Sequence, residues 1–193
     1  MKKRNTFLCC MLILIFTFII PIQASAYDYN DNDFIIDFLP GDIDENNKVN
    51  SADARLCLRA AANLETLTDK QIKSVDFDGT GKINSANARS ILRAAAKLET
   101  LSYTIKVVTG QNIIVGALQH SGVYFWECKK DSDNLFVDLV IEDTVPPDVI
   151  GGCDDMFYII NSESVGEFKI SFNQQCPWTS DVNISFNLNI IIK

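Results

Sequence analysis

Histidine is nearly missing from this chain: among 193 residues only His120 carries an imidazole. A metal centre built on imidazole ligands needs a second one, and any Ser-His or Cys-His nucleophile pair has to be assembled on this single residue. No paired acid/base or nucleophile constellation stands elsewhere, so an enzyme is not expected. Basic residues are also short, 17 Lys and Arg against 25 Asp and Glu, which argues against nucleic acid as a partner. Long apolar runs are confined to the N-terminus, where Phe7 to Ile20 follows Lys2, Lys3 and Arg4 and precedes Ala24-Ser25-Ala26. These are the three parts of a cleavable secretory leader, and the run falls short of the roughly 20 residues of a spanning helix. Residues 1–26 are therefore expected to be removed, leaving a secreted, extracellular chain with no membrane span. It keeps 14 basic residues against 25 acidic ones, a net charge of about −11.

Six cysteines are present, of which Cys9 and Cys10 lie inside the leader as apolar filler. Cys57, Cys128, Cys153 and Cys176 remain, with wide irregular spacing that does not announce a disulfide framework even in an oxidising compartment. At most one bridge is expected, with Cys153 and Cys176 as a possible pair and Cys128 as a buried thiol.

What the chain does contain is a duplication. Ala52 to Leu67 recurs as Ala86 to Leu101, 34 residues later, with 12 of 16 positions identical. Each copy follows an acidic loop, Asp42 to Asp53 and Asp76 to Asn87. Oxygen-bearing side chains stand at loop positions 1, 3, 5, 9 and 12: Asp42, Asp44, Asn46, Asn50 and Asp53, then Asp76, Asp78, Thr80, Asn84 and Asn87. This is the EF-hand pattern, in which a hard cation takes six to eight oxygens. Alternate side chains turn inward, position 7 (Lys48, Lys82) offers its backbone carbonyl, and position 12 closes the site. Two calcium ions are expected, the second held more weakly because neutral Asn87 replaces Asp53. At position 6 Gly81 suits the sharp turn, and Asn47 must adopt left-handed geometry there. Val49 and Ile83 are expected to pack the loops together. A helix without Gly or Pro follows each loop, its buried stripe drawn from Leu56 or Ile91 with Leu64 or Leu98.

A calcium loop lacking the entering helix, then a helix, twice over Gly41 to Leu101, resembles a type I dockerin. The resemblance implies an all-α, EF-hand-like module that binds a cohesin on a cellulosomal or cell-surface scaffold. It also implies that Ser51, Ala52, Arg59, Ser85, Ala86 and Arg93 face the cohesin. Because these residues are the same in both copies, docking in either of two orientations is implied as well.

From Tyr103 onward β-branched and aromatic residues alternate with polar ones, and seven short strands follow without helices: Tyr103 to Val108, Asn112 to Leu118, Val123 to Cys128, Leu135 to Glu142, Met156 to Ile160, Glu167 to Phe172 and Val182 to Ile192. A β-sandwich is the expected architecture. Alternation turns Tyr124, Trp126 and Cys128 inward, since the other face would bury Glu127.

Three irregular segments interrupt these strands. His120-Ser121-Gly122-Val123-Tyr124-Phe125-Trp126-Glu127 is similar to the N-P-T-T-G-[YF]-x-W loop of chagasin-type inhibitors. Gly151-Gly152-Cys153-Asp154-Asp155-Met156-Phe157 is similar to their glycine-rich loop, and Cys176-Pro177-Trp178 to their R-P-W loop. The resemblance covers about Tyr103 to Lys193 and implies an immunoglobulin-like sandwich whose three loops enter the cleft of a papain-like cysteine protease. By position it places Ser121 and Gly122 nearest the protease's catalytic cysteine, with His120, Gly151, Gly152, Cys153, Pro177 and Trp178 around them. Leu118-Gln119 stands where the motif has Asn-Pro, and Cys176 where it has Arg.

The expected organisation is thus a leader (1–26), an acidic segment (27–40), a docking module (41–101) and an inhibitor sandwich (103–193). Residues 27–40 read as a linker or, through Phe34-Ile35-Ile36, as a strand clasping the docking module. The alternative function is a glycan-binding or structural sandwich carried by the same dockerin.

Overall fold

The computed structural model describes residues 30–120, 125–142, 154–176, 178 and 182–193. The expected leader lies outside them, and among the described residues no helix is long and apolar enough to cross a membrane. A helical segment lies within a largely β chain.

The helical segment holds α1 (Ser51–Ala61), α2 (Asp69–Val75) and α3 (Ser85–Ala95). Asn50 and Asn84, the position 9 residues of the two acidic loops, are also the N-caps of α1 and α3. Each accepts the amide of the residue two on, Ala52 or Ala86, at 2.7 Å, which satisfies a backbone donor that a helix start leaves orphaned. Ile43, Ala54, Cys57, Val75, Ala88 and Ile91 form a small core between the copies, with Leu56, Val49 and Ile83 packed against it.

Two sequence expectations need correction here. Leu64 and Leu98 are 67% and 68% exposed rather than buried. The helices end before them, because Asn63 and Lys97 adopt left-handed φ values of 57° and 56° and turn the chain outward. The second loop does have an entering helix, α2, which Thr68 and Gln71 start with a reciprocal capping box.

The β remainder forms two four-stranded sheets. One runs β1 (Phe34–Ile36), β3 (Ile113–His120), β6 (Asp154–Asn161), β5 (Phe136–Glu142); the other runs β2 (Leu101–Val107), β8 (Val182–Ile192), β7 (Gly166–Gln175), β4 (Phe125–Lys130). Strand alternation turns Leu101, Tyr103, Ile105 and Val107 of β2 inward with Phe186, Leu188, Ile190 and Ile192 of β8. They share one core with Val115, Tyr158 and Ile160 of the facing sheet. Phe172 stacks on Phe186 at 4.9 Å and meets Tyr158 edge-on at 5.4 Å, so aromatic contacts bridge the two sheets.

The acidic segment ahead of the first loop is neither a plain linker nor a clasp on the helices. Its Phe34–Ile36 strand pairs in parallel with Ile113–Val115 of β3, and Phe38 and Leu39 are buried in the sandwich core. The reason is chemical: Phe34, Ile36, Phe38 and Leu39 turn into the core at that sheet edge, while Ile35 faces outward. The helical segment is therefore an insertion between the first two strands of the sandwich.

Gly41 marks the entry to that insertion. Its φ is +90°, and a Cβ there would sit 2.6 Å from Leu101 Cδ1 and 3.3 Å from Val49. Gly41→Ala is expected to destabilise the chain by about 1–3 kcal/mol, from left-handed strain and overpacking; urea denaturation of the two proteins checks it.

Candidate functional site

The first acidic loop gathers its carboxylates. One oxygen from each of Asp42, Asp44 and Asp53 lies within 4.8 Å of the others, although Asp42 and Asp53 are 4% and 0% exposed. Burial, with the Asp53 charge beside it, pushes the Asp42 carboxyl up to about 6 against two lowering backbone hydrogen bonds. Acids crowded this way are relieved by a cation, so these residues fit a calcium ion. The loop backbone is wound around the same groups. Asp42 accepts the amides of Asn46 at 3.1 Å and Asn47 at 2.7 Å. Asp53 accepts Ile43 at 2.9 Å, Asp44 at 3.3 Å and Asn50 at 2.9 Å. Asn47 has the left-handed φ its position demands, 61°.

The second loop is built alike at its start and differs at its close. Asp76 accepts Thr80 at 2.9 Å and Gly81 at 2.8 Å, and the Thr80 hydroxyl donates to Asp78 at 2.8 Å. Asn87, 8% exposed, accepts the Asn84 amide and donates from its Nδ2 to the Val75 carbonyl, both at 2.9 Å. Where Asp53 turns an oxygen on backbone N–H groups, Asn87 turns an N–H on a carbonyl. Only its already hydrogen-bonded oxygen is left for an ion. Position 7 carries Lys48 and Lys82, both exposed.

The residues implied to face a cohesin lie on the two equivalent helices. Ser51, Ser85 and Ala86 are exposed and Ala52 half-buried at the helix starts. Arg59 and Arg93 pair with Glu65 at 3.1 Å and Glu99 at 2.8 Å. Beside them stand Leu58 and Leu92, 52% and 51% exposed. Sequence reading missed these leucines; their signal was a repeated apolar residue next to each arginine.

Of the residues implied to meet a protease, Ser121, Gly122, Gly151, Gly152, Cys153 and Pro177 lie outside the described residues. The strand ends that border them are described. His120, the last residue of β3, pairs with Asp154, the first of β6, and Glu142 at the end of β5 pairs with Asp155. On the other sheet Phe125, the first residue of β4, pairs with Gln175, the last of β7, which also pairs with Val182 at the start of β8. Residues 121–124, 143–153 and 177–181 are thus all bordered by strand ends at one end of the sandwich. Trp178 is 74% exposed. Trp126 is buried, edge-on to Phe186 at 5.9 Å, and its carbonyl accepts the Tyr158 hydroxyl at 3.0 Å. Its indole N–H has no partner among the described residues. Cys57, Cys128 and Cys176 are free thiols, Cys128 half-buried against the core.

A cleft of about 760 Å³ separates this end from the helical segment. Asn47–Asn50, Ala94, Ala95 and Lys97–Leu101 line one side; Trp126, Gln174 and Val182–Ser185 line the other. The Lys97 ammonium donates across it to the Val182 carbonyl at 3.4 Å.

Residues 40–93 match the dockerin type I domain, the segment that carries both acidic loops. No curated protein matches the chain. Among solved structures, it is similar to the crystal structure of the cysteine protease inhibitor EhICP2 from Entamoeba histolytica, at 17% identity over 47% of this chain and 86% of that one, with a TM-score of 0.39. It is also similar to the solution structure of amebosin, at 22% identity over 49% and 91%, TM-score 0.40. PbICP-C in its complex with falcipain-2 is similar at 15% identity over 49% and 88%, TM-score 0.34.

Proposed function

We propose that this chain, whose residues 40–93 match the dockerin type I domain, is a secreted inhibitor of papain-like cysteine proteases held by calcium-dependent docking on a cohesin-bearing, cellulosomal scaffold. The chain acts by binding and catalyses nothing. The observation that carries the inhibitor half is the register of the strand ends: His120 against Asp154 and Phe125 against Gln175. That register borders residues 121–124, 143–153 and 177–181 with strand ends at one end of the two sheets, which supports an immunoglobulin-like sandwich whose three motif loops fill one groove together. A small Ser121-Gly122 tip suits a narrow cleft, Gly151-Gly152 permits close backbone approach, and exposed Trp178 beside Pro177 offers a rigid aromatic anchor.

The docking half rests on the paired loops. Asp42, Asp44, Asn46, Asn50 and Asp53, with the Lys48 carbonyl, hold the stronger calcium; Asp76, Asp78, Thr80, Asn84 and Asn87, with the Lys82 carbonyl, hold the weaker. Calcium supplies charge neutralisation and folding energy, no chemistry. The exposed Ser51, Ser85 and Ala86 and the half-buried Ala52, with Arg59, Arg93, Leu58 and Leu92, present nearly the same surface twice, which is what two docking orientations require.

Titration of papain with the full chain tests the inhibitor half. Stoichiometric inhibition is expected, with Trp178→Ala weakening it about 10- to 100-fold and Gly122→Glu weakening it at least as much. An intact chain that leaves papain active at micromolar concentration turns the assignment to a glycan-binding or structural sandwich.

A further inference from the structure

The acidic loops and the sandwich share side chains. Phe38 and Leu39, buried in the sandwich core, directly precede Asp42 across Pro40 and Gly41. Val49 in the first loop and Phe77 in the second each pack against both apolar cores. The Thr104 amide of β2 donates to the Phe77 carbonyl at 2.9 Å, and the Gly41 amide to the Ser74 carbonyl at 2.8 Å. The insertion therefore leaves one sheet beside Leu39 and rejoins the other at Leu101, and its loops are wedged between.

The strand it leaves is short and paired on one side only. β1 has three residues and a single neighbour, β3. What fixes its C-terminal side is the Phe38-Leu39 anchor and the loop that starts at Asp42. β2 is likewise an edge strand, bonded on one side to β8 and on the other to Phe77. A ligand that binds only the ordered loops stabilises everything that must be ordered with them, and the dependence is reciprocal.

We infer that ion binding in the loops governs the sandwich as well as the module: calcium holds β1 and the start of β2 in place, and its removal loosens both edges together with the loops. This rests on the calcium reading of the two loops. It adds a control that independent modules would lack, because β1 and β2 flank β3 and β8, whose ends border the candidate protease-binding segments.

Amide hydrogen exchange of the full chain, read by mass spectrometry with calcium and with EGTA plus magnesium, tests the inference. Calcium binding is followed separately by titration calorimetry. Chelation is expected to speed exchange at least about tenfold in residues 34–39 and 101–107 as well as in the loops, with residues 156–161 and 168–174 changing less. Ile36→Ala, at a residue of the sandwich core that is not itself a calcium ligand, is expected to weaken calcium binding severalfold through the same linkage. If the loops bind calcium and gain protection while residues 34–39 and 101–107 exchange alike in both conditions, the coupling is wrong and the calcium reading stands. If calorimetry shows no calcium binding, both fall.

Discussion

Asp53→Ala is expected to cost the calcium-loaded chain about 2–4 kcal/mol and to reduce calcium affinity at the first loop by at least about 100-fold. The size follows from three duties of one buried carboxylate. It closes the first loop at position 12, it accepts the Ile43 and Asp44 amides, and it completes the capping box of α1 through the Asn50 amide. Alanine strands three backbone donors, the Ile43 amide among them fully buried. Asp53→Asn does not repair this, because an amide N–H then faces N–H groups. Asn87→Asp has the mirror problem: a carboxylate oxygen replaces the N–H that meets the Val75 carbonyl. It is therefore expected to destabilise the calcium-free chain while strengthening the second site. Calorimetric titration and thermal melts with and without calcium, on all four proteins, check these outcomes.

Phe172→Ala is expected to cost about 3–5 kcal/mol and to loosen the whole sandwich. Phe172 is fully buried, stacks on Phe186 and meets Tyr158 from the facing sheet. Deleting its ring opens a cavity between the sheets that neither neighbour can collapse into, since both are fixed by their own contacts. Urea denaturation read by near-ultraviolet circular dichroism measures the loss; a loss below about 1 kcal/mol would mean that the sheets repack.

The helical half was legible because its information is local. Position by position, Asp42 to Asp53 and Asp76 to Asn87 spell out oxygens and turns, and Asn47 took the left-handed geometry its place required. The strands were legible through alternation, as with Trp126 inward and buried. Missed were features whose cause lies elsewhere in the chain. Phe34–Ile36 looks like an apolar fleck between acids, and its partner, Ile113–Val115, is 79 residues away. Leu64 and Leu98 fit the helical period, but Asn63 and Lys97 had already ended the helices. The α2 helix could have been found, since Thr68 and Gln71 are a capping-box pair in plain sequence. The position 9 asparagines were read as ligands alone, and their second duty as helix caps was equally open to a local reading. What no local pattern announced is where the copies differ in hydrogen-bond sense, at Asp53 and Asn87, because that depends on which backbone group each one meets.

The insertion between β1 and β2 also decides how the chain carries load. A grip on the helical segment pulls through two attachments, one in each sheet, and each attached strand runs parallel to its neighbour, β1 to β3 and β2 to β8. Tension on a tethered copy is thereby divided between the two layers instead of being concentrated on a single terminal strand, and a break in either attachment leaves the other holding.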